Sequence, residues 1–121
     1  MTVLLIALGG GLGAAARFLV DSWVARRSRR AMPIGTIVVN VSACLLLGLL
    51  TGWAIGRDAA STAAVVGVGV LGGYSTFSTA SVEAARLLLT DRAPAAATHA
   101  LAMLLLGLLA AVVGMVVGTA L

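Results

Sequence analysis

Long apolar runs separated by short polar links set the pattern of this chain. Four runs reach the roughly 20 residues that an α-helix needs to cross a bilayer: Thr2–Ala25, Pro33–Gly56, Ala59–Thr90 and Ala95–Leu121. The pattern predicts an all-α membrane protein with one four-helix domain over residues 1–121. The third run is the longest and has room for a break. Small residues recur at spacing four in every run: Gly9 and Gly13, then Gly48, Gly52 and Gly56, then Gly69 and Gly73, then Gly114 and Gly118. Such pairs let helix backbones approach closely.

Residues 72–81 depart from this pattern. They read Gly-Gly-Tyr-Ser-Thr-Phe-Ser-Thr-Ala-Ser inside an apolar run. Non-helical backbone at membrane depth is tolerated where it packs on protein or lines a watery path. A break near Gly72–Thr76 is therefore expected, with Gly72-Gly73 favouring the unwinding. Freed carbonyls there suit a small hard cation. The hydroxyls of Ser75 and Thr76 can satisfy other freed groups.

Composition supports the membrane reading. The chain is 61% hydrophobic and 10% charged, with mean hydropathy +1.15. A soluble domain of this size would need a polar surface that these residues cannot supply. The first run lacks a basic segment before it, which points to a retained helix rather than a cleaved signal. Cys44 is the single cysteine, so an intrachain disulfide and a cysteine-based zinc site are excluded. No nucleotide loop, paired-carboxylate site or nucleophile–base pair is present, and no enzyme is expected.

All the basic side chains are arginines. The sequence pI of about 11.2 does not indicate nucleic acid, because the arginines sit mostly at helix ends. Arg26, Arg27, Arg29, Arg30, Arg86 and Arg92 flank links 1 and 3, and Arg57 alone lies in link 2. The positive-inside rule puts links 1 and 3 in the cytoplasm and both termini outside.

Several polar side chains lie within the spans. Arg17 has two readings: a snorkelling side chain paired with Asp21 four residues on, or an anion-attracting charge in a vestibule. Thr36, Asn40 and Cys44 share one helix face. Asn40 reads either as an interhelical hydrogen-bonding group or as an anion ligand through its N–H₂. Phe77 reads as packing, or as a ring whose positive edge holds an anion. Glu83 should face water or a partner, with Thr79 one turn earlier as a candidate donor. His99 reads as an interfacial side chain near the cytoplasmic end.

Three segments, Gly10-Gly11-Leu12-Gly13-Ala14-Ala15-Ala16-Arg17-Phe18, Gly35-Thr36-Ile37-Val38-Val39-Asn40 and Gly72-Gly73-Tyr74-Ser75-Thr76-Phe77-Ser78-Thr79, stand in order on the first three helices. Together they resemble the CrcB/Fluc family of fluoride channels, over essentially the whole chain. The resemblance implies two four-helix subunits inserted antiparallel in the cell membrane, with two fluoride pores along their interface and passive fluoride export. It implies a structural Na+ held by the backbone carbonyls of Gly72 and Ser75. It implies pore or anion-binding roles for Asn40, Phe77, Ser78, Thr79, Thr36 and Arg17.

The chain also departs from the family pattern. Ala80 stands where the family's second box phenylalanine falls, Met103 where its helix 4 serine falls, and Ala43 where a glycine falls. With the arginine bias, these changes favour a fixed-orientation subunit working with an oppositely oriented paralogue, a homodimer being the alternative. Two other functional classes remain. One is a small multidrug-type antiparallel transporter, for which helix 1 offers only Asp21 as a carboxylate. The other is a non-conducting scaffold of a heteromeric channel.

Overall fold

The structure is a computed structural model that describes residues 1–27 and 33–121. The described residues form α1 (Thr2–Arg27), α2 (Ile34–Ala54), α3 (Ala60–Ala63), a π-helical stretch (Ala64–Leu71), α4 (Gly72–Tyr74), α5 (Phe77–Leu89) and α6 (Ala93–Thr119). Four stretches, Thr2–Arg27, Ile34–Ala54, Ala60–Leu89 and Ala93–Thr119, are long and apolar enough to cross a membrane. Arg29 and Arg30 lie outside the described residues.

Prolines mark two helix starts. Pro33 directly precedes α2, and Pro94 lies in the first turn of α6. Proline suits these positions because the first N–H groups of a helix have no intrahelical acceptor. The α2 helix ends in a turn at Gly56, whose φ of 75° lies in the left-handed region open to glycine. Gly56 therefore belongs to the turn and does not extend the packing stripe of Gly48 and Gly52.

The glycine stripes join the helices in two pairs. In one pair, α2 lies against α6. A Cβ added at Gly48 would overlap the Ala111 carbonyl, and one at Gly114 would overlap the Leu45 carbonyl. Gly52 and Gly118 repeat the contact further along the pair. In the other pair, α1 lies against the third span. Gly13 meets the Val70 carbonyl, and Gly73 meets that of Gly10. Within a bilayer, such close contact supplies the dispersion that a hydrophobic driving force cannot. Apolar side chains cover the outside: Leu4, Leu12, Leu104, Leu108 and Val116 are all exposed.

The third span is interrupted after α4. Ser75 and Thr76 are extended, with φ/ψ of −72°/161° and −151°/121°. Gly72 and Gly73 remain helical, unlike the expectation that they would unwind. Gly73 serves the approach of α1, and the unwound residues are the two hydroxyl residues that follow.

A substitution pair tests the packing. Gly114→Leu should destabilise the protein by about 1–3 kcal/mol or more, because backbone must move to admit the side chain. Gly11→Ala should leave stability unchanged or raise it by up to about 1 kcal/mol, since Gly11 is in the interior of α1 and a Cβ there meets nothing within 4 Å. Thermal unfolding in detergent compares the two.

Candidate functional site

Interrupting a helix at membrane depth frees backbone groups, and each needs a partner. In a continuous helix the Thr76 N–H would donate to the Gly72 carbonyl. Here it donates to Asn40 Oδ1 at 2.8 Å. Asn40 Nδ2 in turn donates to the Thr76 carbonyl at 2.7 Å. One amide side chain on α2 thus satisfies both main-chain groups of Thr76. The interhelical hydrogen bond read for Asn40 is present, and it uses one of the two Nδ2 protons. The same Nδ2 lies 3.9 Å from Met103 Sδ, so the α6 position next to it is occupied by a thioether.

The helix restarts through its own cap. Thr76 Oγ1 accepts from the Thr79 N–H at 3.2 Å and donates to Thr79 Oγ1 at 2.9 Å. It also lies 3.4 Å from Ser78 Oγ. A threonine with extended backbone just before the first helical residue is a favoured N-cap. This cap takes the N–H that would otherwise serve the Ser75 carbonyl. Arg17 Nη1 donates to that carbonyl at 3.1 Å. A further contact ties the end of α4 to α2, through Tyr74 and Ser42 hydroxyls 2.9 Å apart.

Arg17 therefore reaches the break, while the Asp21 carboxylate packs against Gly35 in the first turn of α2. The Arg17–Asp21 pairing, one of the two readings of Arg17, gives way to these two separate contacts. Arg17 lies ten residues before the end of α1, about 15 Å at 1.5 Å per residue. Its guanidinium is held by a main-chain oxygen inside the span.

These groups surround a cavity of about 240 Å3 lined by Ala14, Arg17, Phe18, Asp21, Thr36, Val39, Thr76 and Thr79. Three of the expected site residues, Arg17, Thr36 and Thr79, meet there. Asn40 supports the cavity wall through Thr76. Ser78 is exposed, and Phe77 is 88% exposed on the chain's surface. The N-terminal turn of α5 begins beside the cavity, and its free N–H groups carry partial positive charge. The result is a small polar chamber whose lining carries one cation, Arg17, one carboxylate, Asp21, and the hydroxyls of Thr36, Thr76 and Thr79.

The remaining polar residues lie deeper. Thr36 Oγ1 donates to Glu83 Oε1 at 2.8 Å, so α2 supplies the donor expected from Thr79. His99 is 1% exposed, unlike the interfacial side chain expected, and its Nε2 is 3.8 Å from Glu83 Oε2. Residue spacing could not reveal that contact, since Glu83 and His99 belong to different helices. Ser42 and Tyr74 were also not singled out. Their pairing depends on the crossing of α2 and α4.

Among the described residues, no group of three or more His, Cys, Asp or Glu is placed to hold a metal. The carbonyls of Gly72 and Ser75 do fit a hard cation in type. Both have lost their helical donors, to Asn40 and to the Thr76 cap, and carbonyl oxygens suit such ions. Arg17 uses part of the Ser75 oxygen's accepting capacity, and a carbonyl has two lone pairs.

The comparisons with known proteins agree in extent with this architecture. The family model described as "CrcB-like protein, Camphor Resistance (CrcB)" matches residues 4–115. A protein of Cutibacterium acnes named fluoride-specific ion channel FluC 2 is 44% identical over 121 residues, covering 98% of each chain. One of the same name from Rhodococcus jostii is 44% identical over 114 residues, covering 94% of this chain and 96% of its own. A fluoride-specific ion channel FluC 1 of Leifsonia xyli subsp. xyli is 40% identical over 119 residues, covering 98% of this chain and 87% of its own. With the family model and these relatives spanning nearly its whole length, the chain belongs to the CrcB family.

Proposed function

We propose that this chain is a subunit of a fluoride-specific ion channel that lets fluoride leave the cytoplasm down its gradient. The observation that carries this reading is the interrupted third span, whose freed polar groups border a cavity lined by Arg17, Thr36, Thr76 and Thr79. Relatives at 40–44% identity bear the fluoride channel name. The protein is a multi-pass membrane protein and not an enzyme. Its membrane is the cell membrane in this reading, with links 1 and 3 cytoplasmic and both termini outside.

Fluoride is small and strongly hydrated, so passage requires donors in place of water. Arg17 supplies positive charge, and Ser78 and Thr79 supply hydroxyl donors along the route, while Thr36 lines it with its own O–H given to Glu83. Asn40 acts mainly by holding Thr76, and so fixes where those hydroxyls point. The exposed Phe77 ring offers its edge to an anion once a second subunit covers that face. A lone four-helix chain encloses too little space for a full pore, which is why we pair it with an antiparallel second subunit.

Gly72 and Ser75 would hold Na+ through main-chain oxygens at this junction. When bound, the ion supplies fixed positive charge that links elements and is not transported. The relatives named FluC 1 and FluC 2 are compatible with a paralogous partner. Met103 beside Asn40 favours a second reading, in which this subunit scaffolds a pore completed mostly by its paralogue.

Fluoride efflux from liposomes, with this chain alone and with its paralogue, tests the function directly. Asn40→Asp keeps the acceptor for the Thr76 N–H but sets an oxygen against the Thr76 carbonyl. Losing that buried hydrogen bond costs about 1–3 kcal/mol. Flux should fall at least about tenfold while the protein still assembles. Wild-type flux in Asn40→Asp would exclude Asn40 from the permeation machinery.

The main-chain cation site makes a different prediction. Ser75→Ala should leave flux and its Na+ dependence nearly unchanged, because the carbonyl remains. Gly72→Val should leave the single chain folded, since the nearest atom to an added Cβ is 3.7 Å away. It should nevertheless block assembly or flux by crowding the junction. Loss of Na+ dependence in Ser75→Ala would make the hydroxyl the ligand instead.

The arginine bias predicts a single orientation. With Cys44 replaced and a reporter cysteine at Ser28, labelling should occur from the cytoplasmic side only. Equal labelling from both sides would establish dual topology and favour a homodimer.

A further inference from the structure

Behind the cavity wall formed by Thr36, α5 and α6 bring together two polar side chains, Glu83 and His99, that the proposed permeation route does not use. Thr36 on α2 lines the cavity and donates to Glu83 Oε1 at 2.8 Å. Glu83 Oε2 is buried and has no hydrogen-bond partner among the described residues. Neither ring nitrogen of His99 has one either. His99 is 1% exposed, and its Nε2 lies 3.8 Å from Glu83 Oε2. A fully enclosed imidazole and a carboxylate whose side chain keeps 21% exposure, each with unmet polar atoms, thus face each other between the helices.

Electrostatics restricts what this pair can be. A buried carboxylate without a compensating charge is costly. So is a buried imidazolium by itself. One proton held by the two groups together leaves the pair neutral overall, either as carboxylate and imidazolium or as carboxylic acid and imidazole. Removing that proton to solvent leaves one negative charge, bonded through Thr36 to the cavity wall. The other charged groups facing Glu83 are Asp21 from α1 and Arg86 one turn further along α5. Their charges are opposite, so neither direction of titration is imposed by them alone.

We propose that Glu83 and His99 share one proton within the membrane, and that this proton keeps the neighbouring cavity permissive to a small anion. This rests on the fluoride reading given above. Loss of the proton places a negative charge behind Thr36 and repels fluoride from the chamber. His99 acts through Glu83 and Thr36, so it is a positioning residue and need not touch the ion. Flux therefore falls as pH rises through the range in which the pair deprotonates. The sign follows from charge: the protonated pair is neutral and the deprotonated pair is anionic.

The chain has a single histidine, so ¹⁵N-imidazole labelling reports on His99 alone. Solid-state NMR of the protein in bilayers should show a His99 signal that titrates with pH in the wild type and changes in Glu83→Gln. An identical His99 titration in the two proteins would overturn the shared proton, whether or not the chain conducts. Fluoride efflux is then measured with equal pH on both sides of the membrane, across the range in which the His99 signal changes. Wild-type flux should fall severalfold across that range. Glu83→Gln, neutral throughout and still able to accept from Thr36, should conduct with a flat profile. His99→Gln should conduct less at neutral pH and recover as pH is lowered. The double variant Glu83→Gln/His99→Gln should conduct with the flat profile of Glu83→Gln. A flat wild-type profile, or a His99→Gln profile that coincides with the wild type, would overturn the control of passage. Absence of fluoride flux at every pH, with and without the paralogue, would instead overturn the fluoride reading, and the NMR result would still decide the proton.

Discussion

The need to satisfy every backbone polar group inside a bilayer governs this structure. Water is not there to complete a broken helix, so the interruption at Ser75–Thr76 exists only because side chains from other helices complete it. Asn40 serves both main-chain groups of Thr76, Arg17 serves the Ser75 carbonyl, and Thr76 caps the helix that follows. Three helices thereby meet at one point, and the functional groups converge there for structural reasons first. The same side chains that repair the backbone form the cavity wall. A residue such as Asn40 is consequently hard to assign to structure or to permeation alone, because its hydrogen bonds do both.

The packing that allows this convergence is of a different kind. The two tight helix pairs, α2 with α6 and α1 with the third span, are zipped by glycines meeting carbonyl oxygens. Close backbone approach makes each pair a firm unit. The polar seam then falls between the pairs, where Arg17, Thr36, Asn40, Glu83 and His99 come together from four different helices. The outer faces remain apolar and suited to lipid. The exposed Phe77 ring and Gly72 lie on the surface of the chain at the level of the break, which is consistent with further protein covering that face.

Chemically, the seam grades from open to enclosed. Near the cavity stand Arg17, Asp21 and the threonine hydroxyls. Behind Thr36 lie a carboxylate and an imidazole, whose Oε2 and ring nitrogens have no hydrogen-bond partner among the described residues. A hydroxyl that donates to the inner carboxylate while lining the outer chamber couples the two regions through a single bond of 2.8 Å. Met103 lies at the other side of the same seam, against Asn40, and makes that wall less polar.

Much of this was legible in the residues themselves. Run length gave the spans, because a helix needs a defined number of apolar residues to cross hydrocarbon. Glycines at spacing four announced close approach, and a hydroxyl-rich segment in an apolar run announced an interruption. Helical periodicity also put Thr36, Asn40 and Cys44 on one face. Periodicity states which residues share a face but not what stands opposite. Only the tertiary structure decided that Asn40 takes the Thr76 N–H, that Arg17 turns to Ser75 rather than to Asp21, and that His99 is buried against Glu83. It also decided that Gly72 and Gly73 stay helical, since the contact of Gly73 with the Gly10 backbone fixes that turn against α1. Each of these outcomes joins residues far apart in the chain, and such pairings depend on helix crossing and depth, which no local pattern encodes.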